Sequence, residues 1–121
     1  MSDKIWQQLI QESQQVVRQE PLLASYVCTC VLNHESLQSA LSFILANKLS
    51  DDVMPVVTMR ELFDKAFATS QQIIQYAVCD IEAVFERDAA INTYLSIILN
   101  LKGFHSIQVH RLAHFLWSNN R

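Results

Sequence analysis

Residues that form turns are scarce in this chain of 121 residues, which contains one glycine and two prolines. Because the strands of small β-folds are joined by turns rich in these residues, the scarcity argues against a β-sandwich or a β-barrel. Apolar side chains recur instead at helical spacing along nearly the whole chain. We therefore predict an all-α fold, in which residues 1–121 form one compact domain of about six to eight helices with a long C-terminal helix.

Charge is also sparse, and it forms no clusters of one sign. Charged residues make up 17% of the chain, the net charge is −3, and no long run of lysine and arginine occurs, which argues against binding to nucleic acid. No apolar run approaches the roughly 18 residues that span a bilayer, and the N-terminus lacks the layout of a signal peptide. We therefore predict a cytoplasmic protein without a membrane or nucleic-acid partner.

Cysteine is limited to three residues, Cys28, Cys30 and Cys79, which fits free thiols in a reducing compartment. Cys28 and Cys30 lie two positions apart on a predicted helix and point about 200° apart, so they are poorly placed to share a metal ion or a disulfide. Cys30 and His34 could share one helix face, where we interpret them as a core thiol beside a surface histidine.

Apolar side chains, in contrast, are abundant and make up 50% of the residues. A helical domain of this length has a limited interior in which to bury them. The excess therefore predicts a surface that is buried against other chains, with a tightly packed monomer as the alternative.

Pattern breaks and capping residues divide the chain into helices. A break is predicted at 50–57, followed by a helix that starts with a capping box of Thr58 and Glu61. The last helix is predicted from about Ser96 to Ser118 with Gly103 in its interior, where a glycine usually permits a kink or a close backbone approach. The other predicted starts or caps are Ser2, Pro21, Ser36, Ser70 and Asp88.

Three histidines, His105, His110 and His114, lie within ten residues of this last helix. His110 and His114 have the (i, i+4) spacing of zinc-binding helices, but Arg111 stands where such sites usually carry a glutamate. We therefore predict no metal site. We interpret His110 and His114 as lining a helix–helix or subunit contact, with their ring nitrogens bonded to neighbouring carbonyls or carboxylates. His105 is expected to lie off the face that these two share.

Carboxylates are grouped around positions 80 to 88. Glu82 and Glu86 have (i, i+4) spacing near Asp80 and Asp88, and we interpret them as a solvated acidic face. The first interpretation of Asp88 is the N-cap of a short element that runs through Tyr94, a role worth about 1 kcal/mol. No nucleophile and base can be paired from the sequence, so we assign no catalytic residue to this chain.

Five segments carry a resemblance to a known family, and together they are far more specific than any single motif above. The segments are EPLLASY (20–26), HESLQSALSFILANKLS (34–50), MPVVTMRELFDKAF (54–67), CDIEAVFERDAA (79–90) and LKGFHSIQVHRLAHFLW (101–117). On these segments the chain resembles the N-terminal helical domain of bacterial serine O-acetyltransferases.

The resemblance implies a reaction that this chain does not complete alone. Enzymes of the family transfer the acetyl group of acetyl-coenzyme A to the hydroxyl of L-serine, and the product O-acetylserine feeds cysteine biosynthesis. Their helical domain is followed by a left-handed β-helix that holds the general base and the acetyl-CoA groove, and these 121 residues contain no such repeats. We expect an acyltransferase only as part of the intact enzyme, with acetyl-CoA as its co-substrate and no cofactor bound by this domain.

The resemblance also implies partners and one site residue. In the family, helical domains join two trimers into a hexamer, and the aspartate of an Arg-Asp-Pro motif reaches into the serine site. Arg87-Asp88 matches the first two residues of that motif, so Asp88 is expected to bind the ammonium group of L-serine. Ala89 replaces the proline, and Ser96-Ile97 replaces a threonine-proline, which leaves Asp88 less fixed. A cysteine synthase partner would need a C-terminal tail that this sequence lacks.

The preferred interpretation is the N-terminal domain of a serine O-acetyltransferase, present as a fragment or truncated form. Its roles would be assembly of the hexamer and one side of the serine pocket. The alternative is a stand-alone helical interaction protein that derives from the same family and does not catalyse. A third interpretation is an unrelated helical adaptor whose match is fortuitous.

Overall fold

The structure of the protein is a computed structural model, and it describes residues 2–50 and 54–118. Helices account for most of these residues. The α-helices, in chain order, are α1 (Ser2–Gln19), α2 (Ala24–Val27), α3 (Leu37–Leu49), α4 (Val56–Thr69), α5 (Gln71–Arg87), α6 (Tyr94–Asn100) and α7 (Lys102–Ser118). A 3-10 turn (Pro21–Leu23) precedes α2, and a π-helical turn (Cys28–Leu32) follows it. The described ranges contain these seven α-helices and no strand, so the predicted all-α fold is confirmed.

Helix α3 lies at the centre of the core because it is apolar around most of its circumference. Seven of its 13 residues are buried, and Leu41 and Leu45 have no exposed surface. A helix that is apolar on all sides has to be covered on all sides. Helix α4, helix α6 and the π-helical turn pack against α3 and provide that cover.

Helix α1 is amphipathic and covers the core with one face. Its residues Ile5, Trp6 and Leu9 are buried, and its opposite face is polar. Helix α6, which α1 contacts, is buried at four of its seven residues. Across residues 2–50 and 54–118, no helix combines the length and the hydropathy that crossing a bilayer requires.

The capping predictions differ in outcome from helix to helix. The helix predicted from about Ser36 begins there: Ser36 is the N-cap of α3, and its hydroxyl accepts the N–H of Ser39 at 3.2 Å. Ser70 precedes α5 as predicted, but its side chain accepts no capping hydrogen bond. The side chain of Ser2 and residues 51–53 of the predicted break lie outside the described residues.

The capping box predicted at Thr58 is wrong. Helix α4 begins two residues earlier, at Val56, and Pro55 is its N-cap without a side-chain hydrogen bond. Proline suits this position because it has no N–H to leave unpaired where the helix begins. Thr58 and Glu61 therefore lie inside the helix and are exposed.

The helix predicted from Pro21 is irregular. Helical spacing predicts that it carries an apolar stripe of Leu22, Leu23, Tyr26, Val27, Cys30 and Val31, and part of that stripe is exposed. The exposed fractions are 98% for Leu22, 45% for Leu23 and 49% for Tyr26, whereas Val27 is buried. The segment winds as a 3-10 turn, one α-helical turn and a π-helical turn. Changes between windings of different period move successive side chains off a common face, which explains the failure of the stripe.

The helix predicted from Ser96 to Ser118 is two helices, because the backbone is extended at Leu101, with φ −84° and ψ 105°. Gly103 is consequently the second residue of α7 and not part of a helix interior. A Cβ built at Gly103 meets no atom within 4 Å, and its φ lies outside the left-handed region. The prediction that this glycine permits a kink or close backbone approach is therefore wrong, and the break lies two residues before it.

Replacing Gly103 with alanine is expected to stabilise the protein by about 0.5–1 kcal/mol, because alanine costs less backbone entropy in a helix and has room here. The measurement is the free energy of unfolding in urea. The matched control is Ala113→Gly on the exposed face of α7, which should destabilise the protein by about 1 kcal/mol. Loss of stability in Gly103→Ala would contradict this account of the position.

Candidate functional site

Asp88 lies at the end of α5, on the surface, and begins a turn. Its Oδ1 accepts the N–H of Ala90 at 3.0 Å, and its carbonyl accepts the N–H of Ile91 at 3.0 Å. An aspartate that bonds its own backbone two residues ahead favours a turn over a helix. The prediction of Asp88 as an N-cap is therefore wrong, since the cap of the following helix α6 is Thr93.

The start of α6 is held from two directions. Locally, the hydroxyl of Thr93 accepts the N–H of Ser96 at 3.2 Å. From α1, the carboxylate of Glu12 accepts the N–H of Leu95 at 2.8 Å and that of Tyr94 at 3.2 Å. These bonds satisfy backbone donors that the first turn of any helix leaves unpaired.

Glu12 was not predicted as a functional residue, and no local sequence signal marks it. It lies 82 and 83 residues from its partners, whereas capping patterns relate residues three positions apart. Its position between Gln11 and Ser13, in a polar stretch of α1, resembles that of an ordinary solvent-facing glutamate.

The carboxylates around Asp88 are not one solvated face. Glu86 is exposed as predicted, and Glu82 is half-buried. Asp80 is engaged with α7: its Oδ2 accepts a hydrogen bond from Gln108 at 2.7 Å and forms an ion pair with Arg111 at 2.9 Å. Asp80 therefore ties α5 to α7, which corrects its place in the predicted acidic face.

The three histidines of α7 do not come together. His105 is buried, and its Nε2 donates to the carbonyl of Ile98 at 2.7 Å, whereas His110 and His114 are exposed. His105 thus makes a helix–helix contact that was not predicted for it, whereas His110 and His114, for which a contact was predicted, are exposed. Among residues 2–50 and 54–118, no three His, Cys, Asp or Glu side chains are placed to hold a metal ion.

His34 lies in a polar contact and not simply on the surface. Its Nε2 donates to the carbonyl of Thr29 at 2.9 Å, and its Nδ1 bonds the hydroxyl of Ser39 at 2.8 Å. The guanidinium of Arg60 also donates to this hydroxyl at 3.3 Å. The side chain therefore fastens the π-helical turn to α3, while the neighbouring Cys30 is a buried thiol as predicted.

Burial lowers the pKa of both His34 and His105. The hydrogen bonds to Thr29 and Ile98 oppose this effect, while Arg60 and Lys48 respectively add to it. For His105 the cause is visible in the contacts, because Nδ1 is buried without a partner among the described residues. A second proton would therefore have no acceptor.

Acid is expected to destabilise the protein through these two histidines. A lowered pKa in the folded state means that the unfolded state binds more protons, so stability falls as pH drops through about 6.5. The measurement is the free energy of unfolding in urea at pH 7.5, 6.5 and 5.5. His105→Gln should reduce the pH dependence, and the exposed control His110→Gln should retain it. An unchanged slope in His105→Gln would contradict the assignment.

The described residues thus form an all-helical scaffold with the carboxylate of Asp88 on its surface, beside the end of α5. One oxygen of this carboxylate is bonded within its own turn.

The family model for the N-terminal part of serine acetyltransferases matches residues 5–109. The chain belongs to this family. The serine acetyltransferase of Haemophilus influenzae is 42% identical over 121 residues, which cover 100% of this chain and 45% of that protein. The chain therefore spans about half the length of the curated relatives it matches, and the recognition made from the five segments is confirmed.

Solved structures of the family share the fold. A serine acetyltransferase solved in complex with CoA matches with a TM-score of 0.96 and 42% identity, covering 100% of this chain and 51% of that one. Soybean serine acetyltransferase complexed with serine matches with a TM-score of 0.94 and 38% identity, covering 99% and 49%. The helical arrangement described above is therefore that of the N-terminal part of these enzymes.

Proposed function

We propose that this chain is the helical domain of a serine O-acetyltransferase, a cytoplasmic enzyme of cysteine biosynthesis that transfers an acetyl group from acetyl-CoA to L-serine. Within that enzyme the domain contributes assembly and one side of the serine pocket. The observation that carries the proposal is the exposed carboxylate of Asp88, which follows Arg87 at the end of α5 in a chain of this family. Neighbouring structures in complex with CoA and with serine support the two substrates.

The electrostatics around Asp88 favour a cationic ligand group. Helix α5 ends at this residue, and the carbonyls at a helix C-terminus carry partial negative charge. The Oδ1 atom is occupied by Ala90, while Oδ2 has no donor among the described residues. Oδ2 is therefore available to accept a hydrogen bond from the ammonium group of an amino acid.

Hydrogen bonds take over the restraint that a proline would supply after Asp88. The turn is closed by the bonds from Ala90 and Ile91 to Asp88, so Ala89 lies within a restrained segment. These bonds support binding of serine by Asp88 despite the departure from the Arg-Asp-Pro motif.

The chain is expected to contribute binding but not catalysis on its own. Deprotonation of the serine hydroxyl needs a general base within hydrogen-bond reach, and Asp88 supplies a charge partner for the ammonium group instead. We propose that base and acetyl-CoA groove are provided by a β-helix of the intact enzyme. Release of CoA from acetyl-CoA and serine by these 121 residues alone would contradict this division of roles.

A chimera tests the role of Asp88. In the Haemophilus influenzae enzyme, the segment matched by this chain is replaced with these 121 residues. Asp88→Asn should raise the KM for serine about 10- to 100-fold, the loss expected for one charge-assisted hydrogen bond, with little change in the KM for acetyl-CoA. The matched control is Glu86→Gln, an exposed carboxylate in the last turn of α5.

Retention of the serine KM in Asp88→Asn would contradict the proposed pocket. An active chimera in which neither substitution matters would favour the alternative, a helical interaction module without a substrate contact.

Self-association is the second proposed role. The exposed apolar residues Leu22, Leu23 and Tyr26 support self-association, because monomeric proteins rarely expose such clusters. They adjoin a groove of about 860 Å³ between α1 and α6, to which Val16 and Leu99 contribute. Cysteine synthase is a proposed partner on the family resemblance alone.

Sedimentation equilibrium of this chain is expected to show concentration-dependent association. Leu22→Gln should weaken it at least about tenfold, as expected when a central apolar contact is lost from an interface. The control is Val57→Gln on α4, which removes an exposed apolar side chain elsewhere. Equal effects of the two variants, or a monomer at all concentrations, would contradict the assigned surface.

A further inference from the structure

The segment that carries Asp88 connects α5 to α6, and the residues that follow it at the start of α6 are bonded to α1. It runs from Asp88, the C-cap of α5, to Thr93, the N-cap of α6. A loop of this kind has a defined position only if both of its ends are fixed. The α5 end is fixed by the buried residues of that helix, of which Ile81 is fully buried.

The α6 end depends on Glu12. The two oxygens of this carboxylate accept the N–H groups of Tyr94 and Leu95, the first two residues of α6. Because Glu12 is charged and partly buried, these bonds are stronger than those between neutral groups. The backbone of α1 at this point is anchored in turn by the buried residues Leu9 and Ser13 on either side of Glu12.

A ring contact joins the two ends of the loop directly. Phe85, in the last turn of α5, packs on Tyr94, the first residue of α6, with ring centroids 4.5 Å apart. The backbone N–H of the same Tyr94 is bonded to Glu12. Loss of the carboxylate would remove the hydrogen bond that ties the backbone of Tyr94 to α1 and would leave the ring pair in place.

We propose that Glu12 is a positioning residue for the serine-binding carboxylate. It sets the start of α6, and through the short segment 88–93 it sets where Asp88 presents Oδ2. The inference rests on the proposed function, because it concerns the substrate contact of that same site. The role of Glu12 is exerted through α6, because its two oxygens accept the N–H groups of Tyr94 and Leu95.

The test uses the chimera described above with Glu12→Gln and Glu12→Ala. Glutamine keeps one acceptor oxygen and alanine keeps none, so the effects should be graded. The KM for serine is expected to rise about threefold in Glu12→Gln and about tenfold in Glu12→Ala, because small displacements of a binding group reduce its contribution. The KM for acetyl-CoA should change less than about twofold, since its groove lies elsewhere.

A rise in the KM for serine without a rise in the KM for acetyl-CoA distinguishes a positioning role of Glu12 from a loss of folding. Partial unfolding would lower the active fraction, and hence the apparent kcat, and would leave both KM values unchanged. Amide hydrogen exchange in the chimera gives a second readout, in which residues 88–95 should exchange faster in Glu12→Gln than in the parent. The control is Glu61→Gln, which removes an exposed carboxylate from α4.

The outcomes distinguish this inference from the proposed function. If Asp88→Asn raises the KM for serine and the Glu12 variants do not, Glu12 is not a positioning residue and the proposed function stands. If Asp88→Asn has no effect, the serine contact itself is wrong and the inference falls with it. Unchanged exchange at 88–95 in Glu12→Ala would overturn the inference in either case.

Discussion

The burial of α3 in the core is the constraint on which much of the domain depends. Seven of its 13 residues are buried, and α4, α6 and the π-helical turn pack against it. Its last residues, Asn47, Lys48 and Leu49, are exposed. Several of the polar side chains around this core bond groups at helix ends and between helices, where backbone donors and acceptors need partners.

Three such contacts have a common form, in which one side chain joins two helices or turns. Asp80 connects α5 with Arg111 on α7, His105 on α7 bonds the carbonyl of Ile98 on α6, and Glu12 on α1 bonds the start of α6. None of them is a catalytic arrangement. They hold neighbouring helices together in a domain whose surface includes the carboxylate of Asp88.

The parts of the fold that the sequence predicted are those that depend on neighbouring residues. The scarcity of glycine and proline, the helical spacing and the helix start at Ser36 are local features, and they were read correctly. The parts that failed depend on distant contacts or on changes of helical winding. A break at Leu101 has no local breaker residue, and the segment after Pro21 changes its period twice. The choice of Asp88 as a candidate site residue came from the family motif, whereas the bond from Tyr94 to Glu12, 82 residues away, has no signal in the chain.

The break at Leu101 has a geometric consequence. A straight helix over residues 94–118 would measure about 37 Å, longer than a compact domain of this size is wide. Dividing it at an extended residue lets α6 be buried at four of its seven residues while α7 packs against α4, α5 and α6. The course of the polypeptide as far as Ser118 is thus set 17 residues upstream, at a junction where His105 bonds the carbonyl of Ile98 and backbone hydrogen bonds join Leu101 to Ile97 and His105 to Leu101.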